Sequence, residues 1–476
     1  MSYKEIAKKI AQENDNMLFY TPVIPFEDSD NLQGLTFVGH ADGPLNAGLQ
    51  PAEFGGFREG QMAWHETCYL YTGLNPTFTS RFGGPDAIKM LKKYCANSFE
   101  KFPVGKGKHA LFLNKYGKIM AHGVLIRTAE EEFYSYWLDP YLAYCIDTCG
   151  MDVWQENLTE KVCMYQLGGP NSLQIVEAAA GMNFHDLPFM GHCMTKIAGK
   201  DCRIIRMGMA GSLAYEVHAA IEDGIAIYNQ LVKAGKKYGL VRLGFSAYVE
   251  AHWENGFTQS GMDFPLAYNQ DENFVKYLTK DMDEKTMPRD FVASLSGTMK
   301  GSSGPELEKH YRYPIACGWG KTVAYDHDFV GREALEKIRD GRHFVPVTLE
   351  WNVEDILDVF RSQFTPEEER YQDMSLPDDF SYDPTNPTVS SIVLNRDGEW
   401  IGDTTGRMVS WFYQRMISVG FLYEDEAIMG NEVTVIWGDP GIRQKHIRAT
   451  IARWPYMNTK RNQKVDVSLI PVGTMD

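Results

Sequence analysis

The sequence predicts an α+β protein with a β-rich C-terminal end. Two observations carry this. From about residue 61 to 235, short apolar runs alternate with helical patterns. Beyond about 340, short β-runs follow one another across Gly, Asp and Asn turns. The length of 476 residues adds a third constraint, since roughly 150 residues per domain gives two to four domains.

In chain order, residues 27–60 are rich in Gly, Pro and Asp and are expected to form a long surface loop or arm. GGPDAIKMLKKYC (83–95) reads as a turn followed by a helix. HALFLN (109–114), HGVLIR (122–127) and CRIIRMG (202–208) read as strands. Residues 223–238 form a helix with Ile225, Tyr228, Leu231 and Val232 on one face and Gly239 as its stop. A further helix begins near Gly331, with Asp328 or a neighbour as its cap. VPVTLEW (345–351) opens the β-rich part. The expected division is residues 1–340 and 341–476, with a Pro-, Asp- and Glu-rich insertion at about 355–390.

Composition narrows the function. Forty-seven basic and sixty-three acidic residues give a net charge of −16. Phosphate backbones need a basic face, so nucleic acid is not an expected partner. No apolar run reaches 18 residues, and the polar start MSYKEIAKKIAQENDN lacks a signal-peptide core, so no membrane partner is expected. The eight cysteines are dispersed with no C-x-x-C pair, which points to reduced thiols and a cytoplasmic location.

Several common chemistries fail. GKGKHA (105–110) feeds a strand rather than a helix, so it is no dinucleotide cradle. GWGKT (318–322) has Ile315 where a Walker loop needs glycine. No G-x-S-x-G or H-E-x-x-H occurs, and no histidine pair has zinc spacing, so no metal is expected. WHETC (64–68) reads as a helix start with packed side chains.

Three segments remain. RMGMAGSLAYEVHAA (206–220) has a Gly-rich turn leading into a strand that carries Glu216. This carboxylate either faces solvent or points inward. Inward, it needs donors, and a reduced pterin offers two N–H groups side by side. RLGFSAYVEAHWENGFTQSGMDFP (242–265) concentrates Tyr248, Glu250, His252, Trp253, Glu254, Asn255 and Phe257. Aromatics beside acids and amides are typical pocket lining. Tyr248 is either a buried core tyrosine or a proton donor, since a phenol of reference pKa about 10 still holds its proton at neutral pH. The third segment is TVAYDHDFVGREALEKI (322–338), by itself only a helix start.

Together with QMAW (61–64), AEEEF (129–133), VTLEWN (347–352) and VTVIWG (433–438), these segments resemble the glycine-cleavage T protein (aminomethyltransferase) family. The resemblance is strongest to its folate-dependent O-demethylase branch, the vanillate/3-O-methylgallate enzymes. It implies a three-subdomain cloverleaf with a β-rich C-terminal barrel, and it implies that 1–340 holds two folate-binding subdomains. It places tetrahydrofolate as cofactor, with Glu216 on the pterin and Phe257 and His122 beside the cofactor. It makes Tyr248, six residues before Glu254, the catalytic residue, where aminomethyltransferases carry arginine. The implied activity moves a methyl group from an aryl methyl ether to N5 of tetrahydrofolate, giving a phenol and 5-methyltetrahydrofolate. Two alternatives stay open: S- or N-demethylation or aminomethyl transfer on the same fold, and folate binding without catalysis.

The pattern departs from the family at four places. GKIMAHG (117–123) puts Ala121 and His122 where the T protein has acids, so His122 either borders the pterin or packs. Leu138 stands where the vanillate enzymes have their carboxylate-gripping arginine. Asn75 or Pro76 replaces a family histidine, and the N-terminal tyrosines fall near Phe19 and Tyr20. The expected substrate is therefore a methoxylated aromatic, vanillate-like or a neutral analogue.

Overall fold

The computed structural model describes residues 53–73, 77–159, 161–280, 298–379 and 388–475, and the backbone of three short strands before them. Those strands, β1 (Met17–Leu18), β2 (Leu35–Gly39) and β3 (Ala47–Pro51), pair in the order β1-β3-β2. Residues 27–60 are thus not one long loop. LTFVG and AGLQP are short runs that pair antiparallel, and their turn-rich flanks conceal them from composition alone. Phe19, Tyr20, Asn75 and Pro76 lie outside the described residues.

Two sheets frame the centre. The first contains β4 (Cys68–Tyr71), β10 (Val162–Gly168), β11 (His192–Ile197), β12 (Lys200–Ile205), β13 (Ala214–Ala220) and β14 (Leu240–Arg242), in the order β11-β12-β13-β10-β4-β14. Strand side chains alternate between faces, so each face has its own composition. One face offers Cys163, Tyr165, Ile204, Tyr215 and Val217, which are buried under α4 (Ser172–Ala180) and α5 (Gly224–Gly235). The register puts Arg203 opposite His218, Ile205 and Gln166 opposite Glu216, and Tyr71 opposite Gln166, all on the other face.

The second sheet is β6 (Gly107–Leu113), β7 (Ile119–Ala129), β8 (Glu132–Tyr136), β5 (Thr79–Gly83) and β9 (Trp154–Asn157), in the order β6-β7-β8-β5-β9. Ala110, Phe112, Ala121, Leu125 and Phe133 form a core with α2 (Ala87–Tyr94), α3 (Tyr141–Thr148) and α7 (Glu272–Thr279). The opposite face presents His109, His122, Val124, Ile126, Tyr134 and Tyr136. Ile126 and Tyr136 share a core with Met164 and Ile205 of the first sheet, so the two faces meet.

Between them runs α6 (Phe245–Asn255), all of whose eleven residues are buried. Gly244 and Gly256 bound it, the latter left-handed at φ 71°. It packs on α1 (Phe57–Glu66). WHETC runs from the end of α1 into the start of β4 rather than starting a helix. His65 there donates a 2.7 Å hydrogen bond to the Glu254 carboxylate and stacks on Phe412.

Helix α8 (Arg332–Asp340) has Gly331 as its N-cap with no side-chain cap, so Asp328 does not fill that role. A Cβ at Gly331 would sit 2.3 Å from the Asn114 carbonyl, which admits only glycine. A closed six-stranded barrel follows, in the order β16-β20-β19-β18-β21-β22. Its strands are β16 (Phe344–Trp351), β18 (Ser391–Leu394), β19 (Trp400–Ser410), β20 (Arg415–Tyr423), β21 (Glu432–Trp437) and β22 (Lys445–Ala452). A two-strand pair, β15 (Met299–Lys300) with β17 (Thr388–Val389), lies beside it. Within the stretch expected as an insertion, α9 (Val353–Ser362) is a regular helix against β22; residues 380–387 lie outside the described residues. Met408, Ile417, Val419 and Phe421 of the barrel share a core with Leu111, Val249 and Trp253, so barrel and sheets are packed together.

Candidate functional site

Glu216 points inward and is 5% exposed. Its Oε1 accepts from Gln166 Nε2 at 2.8 Å and its Oε2 pairs with His218 Nε2 at 2.9 Å. Gln166 Oε1 in turn accepts from the Tyr69 hydroxyl at 2.6 Å and from the Met209 amide at 3.3 Å. The carboxylate is therefore satisfied by an amide and an imidazole, with no arginine or lysine bonded to it among the described residues. Each carboxylate oxygen retains capacity for a second donor. His218 Nδ1 is buried at the same place without a hydrogen-bond partner.

Tyr248 lies in the same cluster, stacked on Tyr71 with ring centroids 3.8 Å apart and edge-on to His252 at 4.8 Å. Burial pushes its phenol well above the ordinary tyrosine range, and the Glu216 charge adds to the rise. Tyr69 and Tyr136 are raised as well, each mainly by burial and in part by Glu216. The one carboxylate thus adds to the rise of three phenols, although Arg203 opposes it at Tyr136.

The other two predicted residues meet beyond the C-terminal end of α6, Phe257 just after the helix and His122 on β7. Phe257 has its ring 6.3 Å from His252, 5.3 Å from His109 and 6.2 Å from His122. His122 Nε2 lies 3.2 Å from both the hydroxyl and the amide of Ser260, and Nδ1 is 3.4 Å from His109 Nε2. Burial, then His109 and His252, hold the His122 imidazole well below its usual pKa, and burial pushes His109 and His252 down to about 4. These are neutral imidazoles in an aromatic box completed by Phe264 and Trp319. A neutral imidazole cannot stabilise a cation as the family's aspartate does.

Sequence reasoning missed Gln166, His218, Tyr69 and Tyr71. His218 was within reach of it, being two residues from Glu216 in a strand and hence on the same face. Leu138, fully buried behind the second sheet, faces away from this cluster, and its neighbour Trp137 packs against it instead. Glu254 is a structural hub: Trp64, His65 and Ser410 all hydrogen-bond its carboxylate. Among the described residues no group of three or more His, Cys, Asp or Glu is placed to hold a metal, and no helix is long and apolar enough to cross a membrane. A groove of about 1060 Å³ between α1, α9 and the barrel, lined by Arg58, Trp351 and Trp411 among others, contains none of the predicted residues.

The profile of the GCVT N-terminal domain matches residues 76–280. Sesamin methylene transferase of Sinomonas sp. (strain No.22) is 38% identical, over 90% of this chain and 95% of that protein. Syringate O-demethylase of Sphingobium sp. (strain NBRC 103272 / SYK-6) is 29% identical, over 87% and 92%. The glycine cleavage system aminomethyltransferase T from Bartonella henselae superposes with a TM-score of 0.63 at 16% identity, covering 90% of this chain and 96% of that one. This last likeness establishes the fold.

Proposed function

The chain belongs to the aminomethyltransferase (GCVT) family of enzymes, and from that premise we propose that it moves a one-carbon unit from an aryl ether to tetrahydrofolate. The observation that carries this reading is a buried phenol, Tyr248, stacked on Tyr71 and within the electrostatic reach of a buried carboxylate, Glu216. An aryl ether is inert because its oxygen leaves with a developing negative charge. A donor already aimed at that oxygen lowers the barrier without reorganising.

When bound, tetrahydrofolate supplies the nucleophilic nitrogen N5. Glu216 is an acceptor suited to the pterin's adjacent N–H donors, with Gln166 fixing the carboxylate. Phe257 and His122 border the cofactor from the far end of α6. Tyr248 donates a hydrogen bond to the departing aryl oxygen. Its proton is held more tightly than a phenol of pKa about 10 holds one, so it acts more as an oxyanion stabiliser than as a complete acid. For a methyl ether, one C–O bond breaks, one C–N5 bond forms, and the N5 proton ends on the phenol oxygen. No metal is required for this step.

A second reading draws on the sesamin relative: a methylenedioxy carbon passes to N5 and N10, both C–O bonds break, and a catechol leaves with both protons. The test incubates the protein with tetrahydrofolate and a panel of methoxylated and methylenedioxy aromatics, with products identified by mass. Formation of 5-methyltetrahydrofolate supports methyl transfer, and 5,10-methylenetetrahydrofolate supports the second reading. Bound folate with neither product removes both.

A further inference from the structure

We propose that Trp137 is the specificity-determining platform of this site, and that the site takes uncharged aryl ethers and rejects those bearing a carboxylate. The inference deepens the aryl-ether reading and rests on it.

Trp137 follows β8 directly and has φ 67°, the left-handed region. For a bulky residue this conformation costs about 1–3 kcal/mol, and it persists only where the surroundings impose it. Two contacts impose it here. The Trp137 amide donates to the Phe78 carbonyl at 3.0 Å, and the two rings meet edge to face at 6.3 Å. On the other side, β7 passes so close that a Cβ on Gly123 would lie 2.1 Å from the Tyr136 carbonyl and 3.1 Å from the Trp137 Cβ. The half-buried indole is thereby turned onto the cluster that holds Tyr71 and Tyr248. Leu138, by contrast, is turned into the core behind the sheet.

The charge balance points the same way. Among the described residues Glu216 is bonded by Gln166 and His218, with no arginine or lysine on it, and its charge raises Tyr248, Tyr69 and Tyr136, with Arg203 acting the other way at Tyr136. A second carboxylate brought beside it would be buried near like charge. Arg203, opposite His218 on this sheet face, donates to His192 Nδ1 at 3.1 Å and lies over the Tyr134 ring at 5.2 Å. An electron-rich neutral ring stacked on indole meets none of these costs.

The test compares 1,2-dimethoxybenzene and 1,3-benzodioxole with their ring carboxylates by calorimetry at neutral pH, on the wild type and on Trp137→Phe, Trp137→Ala and Trp137→Asn. Asparagine tolerates the left-handed backbone, so it separates loss of the ring from loss of the fold. The neutral probes should bind at least tenfold more tightly than the carboxylates. Trp137→Ala and Trp137→Asn should weaken them tenfold or more with tetrahydrofolate affinity unchanged, and Trp137→Phe should stay within threefold. Equal or tighter binding of the carboxylates overturns the inference and directs attention to Arg203. Unchanged neutral-probe affinity in Trp137→Asn overturns it too. Because binding is read apart from turnover, tight neutral binding without product counts against the aryl-ether reading alone.

Discussion

Tyr248 and Glu216 share one electrostatic neighbourhood, and their substitutions should therefore separate two steps. Replacing Tyr248 with Phe keeps the ring stacked on Tyr71 and removes only the hydroxyl. Loss of one preorganised donor costs roughly 10²–10³ in kcat. We expect that loss with the KM for tetrahydrofolate within threefold, measured by steady-state kinetics on whichever aryl ether turns over. Undiminished kcat in this variant would remove Tyr248 as the donor. Glu216→Ala should act in the opposite manner, raising the dissociation constant for tetrahydrofolate tenfold or more in a direct binding titration. The inward carboxylate was legible as one of two orientations of a strand residue. Its partners were not, because Gln166 comes from a strand fifty positions earlier and only the β10–β13 register brings it opposite.

Helix α6 is held at its start by a residue far away in sequence. Glu53 Oε1 accepts from the Ala247 amide at 2.8 Å, inside the first turn. Burial raises the Glu53 carboxyl to about 8, with Asp378 adding, so it is protonated in the folded protein under mildly acidic conditions. A carboxyl whose folded pKa lies above its unfolded value contributes stability that is full at low pH. That contribution fades as pH climbs from about 4.5 through 8. Glu53→Gln keeps an acceptor for Ala247 and cannot ionise. Relative to the wild type it should gain stability between pH 5 and pH 9, by up to about 4 kcal/mol, in denaturant unfolding followed at both values. A constant difference across that range would contradict the assignment. Elements with strong periodicity or β-branched runs, such as β6, β7, α5 and β16, were legible from the sequence because their own patterns decide them. The arm at 27–60 was not, because two five-residue strands amid turn-forming residues leave almost no periodic signal.

At the scale of the whole molecule, the sequence's −16 charge argued against phosphate polymers as partners but said nothing about where acids would be buried. Glu53, Glu250, Glu254 and Asp263 all lie in the interior around α6. Of these, Glu254 ties three parts together: Trp64 and His65 from α1 and Ser410 from the barrel converge on it. Removing a buried acceptor strands its donors, and truncation of such a hub costs on the order of 3–5 kcal/mol. Glu254→Ala should lower unfolding stability by that amount, and Ser410→Ala by about 1–2 kcal/mol. Equal small losses for both, read by the same denaturant method, would mean the hub does not bind the parts together. A division at about residue 340 is best treated as a change of architecture, since the hydrophobic core runs across it.

Gly406 makes that continuity concrete. It interrupts β19 with φ 60°, and a Cβ there would fall 2.4 Å from the Trp253 indole nitrogen, which itself donates to Asp263. The pairing of the strand is irregular where the Trp253 indole of the central helix meets it. Exchanging C-terminal halves between relatives would therefore succeed only for donors that bring a residue without a side chain to that contact, and a library of such chimaeras would sort by this single position before any difference in surface or loop length was felt.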